Sequence, residues 1–530
     1  MKKLTPREEL IKIHKRIFEK NRQKVLDRTV IDSKEFRTYE KEYEKGSNHY
    51  KKISTYTALY KSIDKHDIIY IGDYHTLKQA QKFFLKTARQ LLKKRKKIIF
   101  ALEAINENFQ HELDMYLQGK LHEEDFIKKI GYKKYWIFDI WQNFQPIFHF
   151  AREENIKCFG IDYLPRGKNK IRKRDSRAAK IITHSVEHYS DYTILVLVGD
   201  LHIAPSHLPQ AVDRELAKKR LKKSSLIIYQ NVEALYWKLV EKGLEYSKEV
   251  LQIDSNSFCV INSSPIVKQQ SFLNWIEHEE DMINQNAPKK NFKALTRRIA
   301  EFLDIHIEDE IGNFRVYTCG DLSFLDDLKK DKTFSERDIK IIKNQILASE
   351  SYYIPKKKIV YLANLSLNHA AEEASHFIRH VCSGEEEPKD LISSFYSKTL
   401  NETCGFFGSK IVNHKRKCPK KKMFIAKYAG LKNKKRNHEE EFEFQLAYYV
   451  LMHKKFEEGI VSKNLKELFL LPQELFIAVT HVLGYMLGER MYYALMEGKI
   501  SKEFVRNLFF NPFEEKDEAR KMYFELTHIL

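Results

Sequence analysis

The sequence contains few cysteines and no long apolar run. None of the six cysteines among the 530 residues forms a Cys-x-x-Cys pair, which predicts reduced, mostly buried thiols rather than disulfides. Because no stretch of about 18 apolar residues occurs, no transmembrane helix is expected. The segment Met1–Glu9 is basic but has no apolar run, which predicts that the chain lacks a secretory signal and acts in the cytoplasm.

The overall composition is that of a folded and strongly basic protein. An apolar content of 43% favours a globular fold over disorder, and 530 residues exceed the size of one ordinary core. We therefore expect two or more domains. The formal net charge of +20 would suit an anionic partner such as nucleic acid, a membrane surface or an acidic small molecule. Lysine is nevertheless spread along the whole chain, so a generally lysine-rich protein is the simpler interpretation.

The order of predicted elements divides the chain into three regions. Residues 1–50 are highly charged and helix-prone, which predicts a helical arm. Residues 51–290 alternate strands and helices, and this alternation predicts an α/β domain with a mostly parallel sheet flanked by helices. Residues 291–530 are predicted to be a mainly α-helical C-terminal region of unknown role. The strands expected in the α/β domain are 68–71, 98–102, 158–161 and 194–198.

Two segments of the α/β domain are near copies of each other. Residues 68–75 and 195–202 are apolar runs that each stop at Gly-Asp-x-His, ending at His75 and His202. Such runs are typical of buried strands in a parallel sheet, and open α/β sheets bind ligands beyond the carboxyl ends of their strands. The repeat therefore predicts two imidazoles at one sheet edge, provided that the strand order brings the two strands together.

Two acidic residues occupy equivalent positions, since Glu103 and Asp162 each directly follow a predicted strand. Imidazole and carboxylate groups are the usual ligands of catalytic zinc or manganese, so these strand ends predict a metal site. Asp73 and Asp200 would orient the imidazoles. The alternative is that the acids only cap helices and bond within loops. The predicted metal ligands are His75, Glu103, Asp162 and His202.

This combination of motifs resembles the ChaN-type haem-binding uptake domain, which belongs to the superfamily of the Tiki metalloproteases and the erythromycin esterases. The resemblance rests on the paired Gly-x-x-His motifs with a strand-end glutamate between them. An aromatic helix ending in residues 148–152 and the Arg174–Asp175 pair before the second histidine strand add to it. It covers about residues 54–245, which is less than half of the chain.

The resemblance implies that His75, Glu103 and His202 are the functional set, with Arg174 in support. Members of the superfamily use such a set differently: the ChaN-like group is associated with haem and iron, the Tiki-like group consists of metal-dependent peptidases, and the esterases activate water with histidine and glutamate. The expected cofactor is therefore haem or a divalent metal ion, and enzymatic activity is an open question. The candidate haem-iron ligands are Tyr74, His75 and Tyr163.

The C-terminal region has its own cluster of histidines and glutamates. His369, Glu373, His376 and His380 fall on one stripe of a predicted helix. Glu373-x-x-His376 is half of a carboxylate-bridged di-iron motif, but the chain offers no convincing second half. The alternative is a solvated helix face or the lining of a groove between domains.

Two glycine-containing segments of this region carry further predictions. The basic stretch 405–437 is predicted to be a loop or linker, and its many lysines and arginines over 410–436 leave nucleic-acid binding open. Gly484-x-x-x-Gly488, between helix-like runs, predicts close packing of two helices.

Three functions are consistent with the sequence. The leading hypothesis is a ChaN-like protein that binds haem, iron or another metal at the carboxyl ends of its strands. The second is a metal-dependent hydrolase built on His75, Glu103 and His202. The third is a basic scaffold or a nucleic-acid-binding protein. The expected partner is haem or a small molecule, and a homodimer is also open.

Overall fold

The computed structural model describes most of the chain as two compact units. One unit, the sheet unit, comprises residues 17–276, and the other, the helical unit, comprises residues 1–16 together with 277–530. The domain boundaries expected from the sequence, after residues 50 and 290, stay a prediction. The described residues are 4–28, 33–132, 141–281, 287–312, 314–318, 321–347, 351–362, 366–384, 390–460 and 469–530.

The core of the sheet unit is an eight-stranded sheet. Its strands are β1 (Lys52–Ser54), β2 (Ile68–Asp73), β3 (Ile98–Asn106), β4 (Lys157–Asp162), β5 (Thr193–Gly199), β6 (Ser225–Gln230), β7 (Val250–Gln252) and β8 (Ser257–Val260). They lie in the order β1-β7-β8-β6-β2-β5-β3-β4. β7 pairs antiparallel with both β1 and β8, whereas the other pairs run parallel, so the predicted α/β class with a mostly parallel sheet is confirmed.

The central strands are covered on both faces. Every residue of β2, β3 and β5 is buried, and successive side chains of a strand point to opposite faces. This burial explains why these strands are continuous apolar runs rather than alternating ones. The helices up to residue 281 are α1 (Pro6–Arg28), α2 (Lys34–Ser47), α3 (Tyr56–Ile63), α4 (Lys78–Lys93), α5 (Gln110–Leu117), α6 (Glu123–Lys129), α7 (Trp141–Glu153), α8 (Lys170–His188), α9 (Leu208–Lys218), α10 (Glu233–Glu241) and α11 (Pro265–Asp281).

The helical unit is mainly α-helical, as predicted. Its further helices are α12 (Ala287–Leu303), α13 (Phe324–Lys330), α14 (Glu336–Leu347), α15 (Leu367–Ser383), α16 (Leu391–Val412), α17 (Lys421–Leu431), α18 (His438–Glu457), α19 (Gln473–Met496), α20 (Lys502–Phe510) and α21 (Glu518–Ile529). A three-stranded sheet of β9 (Arg315–Thr318), β10 (Tyr352–Ile354) and β11 (Ile359–Leu362) accompanies them, in the order β10-β11-β9. None of the described helices is both long and apolar enough to cross a membrane.

The predicted loop over 405–437 is wrong for much of its length. Residues up to Val412 belong to α16, and a second helix, α17, begins at Lys421. Gly408 lies inside α16. Glycine is required there because α15 passes so close that a Cβ would collide with the side chain of Ser375. Several basic groups of the segment are also buried, including Lys410, whose Nζ donates to backbone carbonyl oxygens.

The predicted close packing at Gly484-x-x-x-Gly488 is confirmed. A Cβ at Gly484 would lie 2.7 Å from the carbonyl oxygen of Thr399, and one at Gly488 would lie 2.6 Å from that of Thr403. Both carbonyls belong to α16, so glycine allows the backbones of α16 and α19 to touch.

Candidate functional site

The strand order brings the two Gly-Asp-x-His segments together. β2 and β5 pair in parallel, so His75 and His202, which follow them, leave the same edge of the sheet. β3 pairs with the other side of β5 as far as Leu102. Glu103 comes next, where the register of β3 shifts, and the strand then continues to Asn106 instead of ending at residue 102 as predicted. Such irregularities redirect side chains, and this one brings Glu103 between the two histidines.

Glu103 lies between the two imidazoles. Its Oε2 is 3.9 Å from Nε2 of His75, and its Oε1 is 3.6 Å from Nε2 of His202. Both distances exceed that of a direct hydrogen bond. His75 is the most accessible of the three, with 20% of its side chain exposed, compared with 9% for His202 and 7% for Glu103. The two rings therefore present Nε2 to opposite oxygens of one buried carboxylate.

Each imidazole is held at its other nitrogen by a carboxylate of its own. Nδ1 of His75 lies 2.8 Å from Oδ2 of Asp73, and Nδ1 of His202 lies 2.5 Å from Oδ1 of Asp175. The hydroxyl of Tyr39, on α2, donates to Oδ2 of Asp175 at 2.9 Å. A carboxylate at Nδ1 fixes both the tautomer and the orientation of a histidine, so Nε2 is the ring nitrogen that faces the site.

Only one of these two carboxylates is predicted from the sequence to orient a histidine. Asp73 orients His75 as predicted, but the prediction that Asp200 orients the second histidine is wrong. Asp200 instead lies 3.2 Å from Nζ of Lys268, and it packs so closely over Gly72 that a Cβ there would be 2.5 Å from its Oδ1. Asp175 takes the role from α8, and the only signal for it in the sequence was its place beside Arg174.

Arg174 pairs with two acids of the edge. Its guanidinium contacts Oε1 of Glu103, and its Nε and Nη2 donate to Oδ1 of Asp162 at 3.0 and 2.7 Å. The backbone N–H of Gly199 donates to Oε2 of Glu103 at 2.6 Å. Burial alone would raise the pKa of Glu103, but the charges of Arg174 and of the two imidazoles lower it to about 2. Glu103 is therefore held as a carboxylate.

The pKa values of both imidazoles lie above the ordinary value. Burial opposes this rise, but the bonded carboxylate at each Nδ1, Asp73 for His75 and Asp175 for His202, raises the pKa together with Glu103. The edge thus combines a fixed negative charge with two groups that readily take up protons.

The predicted metal ligands reach one edge without forming a compact cluster. The ligand atoms of His75, Glu103 and His202 do not all lie within 4.8 Å of one another, whereas two other groups of described residues meet that condition. Oδ1 of Asp162 already accepts two hydrogen bonds from Arg174. The donor set therefore suits proton transfer better than it suits a bare metal ion.

The three candidate haem-iron ligands have different surroundings. Tyr74 packs against Lys268, whose Nζ lies 4.7 Å from the centre of the ring, and burial raises the pKa of the phenol. Tyr163 is partly exposed just beyond β4. His75 is partly exposed as well, and its bond to Asp73 leaves Nε2 facing the edge. Of the three, His75 is the residue that would ligate a haem iron, because its Nε2 faces the edge.

The part of the chain that carries most of this edge is similar to a known family. Residues 59–182 match the family model described as haem-binding uptake, Tiki superfamily, ChaN. The match covers less than a quarter of the chain and includes His75, Glu103 and Arg174. The resemblance of the N-terminal half to this family is thereby confirmed.

Two solved structures are also similar to parts of this chain. ChaN of Campylobacter jejuni, in a structure described as showing cofacial haem binding, is 14% identical, with 34% of this chain and 88% of that chain covered and a TM-score of 0.28. The C-terminal region of Pasteurella multocida toxin, described as having a thiol-protease-like catalytic triad, is also 14% identical, with 37% and 27% covered and a TM-score of 0.23. No curated protein matches the sequence.

Proposed function

We propose that the sheet edge is an acid–base catalytic site that activates water to hydrolyse an ester or amide bond of a small molecule. The observation that carries the proposal is the placement of Glu103 between two Nε2 atoms, each on an imidazole whose Nδ1 is bonded to a carboxylate. Histidines held in this way are the general bases of many hydrolases.

The exposure of the side chains supports a division of roles. His75 is the more accessible imidazole, and the gap of 3.9 Å between its Nε2 and Glu103 is suited to a bridging water. Neutral His75 takes a proton from this water while the water oxygen attacks the carbonyl carbon of the substrate. His75 then returns the proton to the leaving group. His202 and Arg174 keep Glu103 ionised, and Arg174 is 30% exposed and can reach a developing oxyanion.

The first test measures hydrolysis of p-nitrophenyl acetate and p-nitrophenyl butyrate by the full chain. Loss of the general base or of the central carboxylate, in His75→Ala or Glu103→Gln, should lower turnover about 100- to 10,000-fold. Glu107→Gln is the matched control, because Glu107 lies just after the same strand but pairs with Arg177 outside the site. Equal turnover in wild type, Glu103→Gln and His75→Ala would refute the proposal.

Haem binding is the second candidate, and the family match over residues 59–182 favours it. Titration with haemin should then give a Soret band that His75→Ala abolishes and Glu103→Gln preserves, since only His75 would ligate the iron. Tyr74→Phe should leave the band unchanged, because Tyr74 packs against Lys268. Turnover without a Soret band would favour the hydrolase, and a Soret band without turnover would favour haem binding.

A further inference from the structure

A cluster of carboxylates and histidine lies inside the helical unit, on three neighbouring helices. Glu372 of α15, Glu402 of α16 and His481 of α19 each offer a ligand atom within 4.8 Å of the other two. Glu372 and Glu402 are buried, while 40% of the His481 side chain is exposed. The cluster therefore has two buried anions and one imidazole at its rim.

Glycines allow the three helices to come this close. A Cβ at Gly405 of α16 would collide with Nε2 of His376 and lie 3.1 Å from Cγ of Glu372 on α15. A Cβ at Gly484 of α19 would collide with Cβ of Glu402 on α16. Each acid of the cluster is thus packed against a glycine of the next helix, which fixes its position.

Each acid of the cluster has a cation at one of its two oxygens. Nζ of Lys398 lies 2.8 Å from Oε1 of Glu402, and Nη2 of Arg416 lies 2.8 Å from Oε2 of Glu372. Glu372 is only 4% exposed, and its second oxygen, Oε1, is buried and has no hydrogen-bond partner among the described residues. A buried carboxylate oxygen without a hydrogen-bond partner is costly, and this one is available as a ligand for a cation.

We propose that Glu372, Glu402 and His481 bind a divalent first-row transition metal ion. Nδ1 of His481 lies 3.2 Å from Oε2 of Glu402, which is close to the separation of about 3.4 Å between two ligands held about 2.1 Å from one tetrahedral ion. Two carboxylates and one imidazole form a donor set that suits zinc, iron or manganese. Oε1 of Glu372 supplies the third ligand.

The ion has open coordination positions, because three protein ligands leave room for water. The three ligands line a cavity of about 500 Å³, which Lys398 and His376 also line. Nε2 of His376 is a second buried polar atom without a partner among the described residues, and its Nδ1 lies 3.4 Å from Oε2 of Glu373. Glu373 therefore orients His376 here, and the stripe singled out in the sequence borders the metal ligands instead of supplying them.

Cobalt provides the test, because its bound form absorbs visible light. The full chain, freed of metal with a chelator, is titrated with Co²⁺ and independently analysed for bound zinc, iron and manganese. The wild type should bind about one equivalent at this site. His481→Ala should weaken binding by more than about 100-fold, since even residues that only orient ligands typically contribute about 10- to 100-fold. Glu402→Gln should do the same, with folding checked by circular dichroism because Lys398 loses its partner.

Two controls separate this site from other metal sites in the chain. His184→Gln/His188→Gln removes the other compact group, an exposed cluster of His184, Glu187 and His188, and should leave the bound equivalent unchanged. His75→Ala/His202→Ala should also leave it unchanged, which keeps this test independent of the sheet edge. The proposal is overturned if the wild type binds no metal, or if folded His481→Ala binds it as tightly as the wild type.

Discussion

The two charged clusters of this molecule compensate their carboxylates in different ways. At the sheet edge, both oxygens of Glu103 have bonded partners, Arg174 at Oε1 and the N–H of Gly199 at Oε2. In the helical unit, one buried oxygen of Glu372 has none among the described residues. A carboxylate with both oxygens satisfied is suited to keep a fixed negative charge in the site, whereas a buried carboxylate oxygen without a partner is suited to bind a cation.

The largest effect is expected when the compensation at the sheet edge is removed. Arg174→Ala leaves Glu103 and Asp162 buried together without their shared cation. Breaking a buried ion pair on one side typically costs about 3–5 kcal/mol. Urea denaturation followed by tryptophan fluorescence measures the loss, because Trp141 and Trp237 both belong to the sheet unit.

Arg177→Ala provides the comparison for this loss. Arg177 lies on the same helix as Arg174 and pairs with Glu107, but 49% of its side chain is exposed. Exposed pairs contribute about 0–1 kcal/mol, so this variant should denature close to the wild type. If Arg174→Ala were no less stable than Arg177→Ala, the view of the edge as a balanced set of charges would be wrong.

A smaller effect is expected when the helices that carry the metal ligands are forced apart. Gly484→Ala places a methyl group against the backbone of α16, 2.7 Å from the carbonyl oxygen of Thr399. Such overpacking typically costs about 1–3 kcal/mol, and it should also displace Glu402 and weaken Co²⁺ binding. Gly430→Ala is the matched control, because nothing lies within 4 Å of a Cβ there and alanine is the better helix former. Identical thermal melts by circular dichroism for the two variants would contradict the close packing.

A third prediction concerns His14, whose pKa is lowered, in contrast to the raised pKa values of His75 and His202 at the sheet edge. His14 is 4% exposed, with Nε2 2.8 Å from the carbonyl oxygen of Ile411. Burial, reinforced by the charge of Arg298, lowers its pKa to about 3 from 6.5, and the neighbouring ring of His414 also has a lowered pKa, chiefly through burial. Between these values the unfolded chain binds a proton that the folded chain does not. The free energy of unfolding therefore falls as the pH drops below 6.5. Above pH 6.5 the stabilising contribution of His14 is fully present.

His14→Gln keeps a donor for Ile411 but cannot titrate. Its free energy of unfolding should depend less on pH than that of the wild type, by about 1 kcal/mol per pH unit below the ordinary histidine value. Urea denaturation followed by circular dichroism at about pH 7, 6 and 5 measures the difference. Parallel curves for the two proteins would mean that His14 is protonated in the folded state.

The sequence predicts the parts of this architecture that depend on local pattern. Continuous apolar runs identify the buried parallel strands, and the repeated glycine-aspartate exits identify His75 and His202. Glu103 was found as well, although its side chain owes its position to a register shift that the predicted strand end did not include. These features could be predicted because each is encoded within a few consecutive residues.

The remaining features depend on contacts between distant segments. Asp175 and Tyr39 reach His202 from α8 and α2, which no local spacing reveals. Gly408 looks like a loop residue in the sequence, yet it lies within a helix. It is a glycine because a neighbouring helix leaves no room for a side chain. Among the glutamates of α15, Glu372 joins the metal cluster instead of Glu373, because its partners Glu402 and His481 come from other helices.

The smallest expected effect tests whether the second imidazole depends on its distant support. Tyr39→Phe removes the hydroxyl that donates to Asp175 at 2.9 Å but keeps the ring, which stacks on His207 at 3.8 Å. Loss of one such hydrogen bond should cost about 1 kcal/mol. It should lower kcat for the p-nitrophenyl esters several-fold without changing KM, because Asp175 would hold His202 less firmly. Tyr60→Phe is the control, since the Tyr60 hydroxyl has no hydrogen-bond partner among the described residues. If both variants kept the kcat of the wild type, the position of His202 would not depend on Tyr39, and Asp175 alone would be sufficient to hold it.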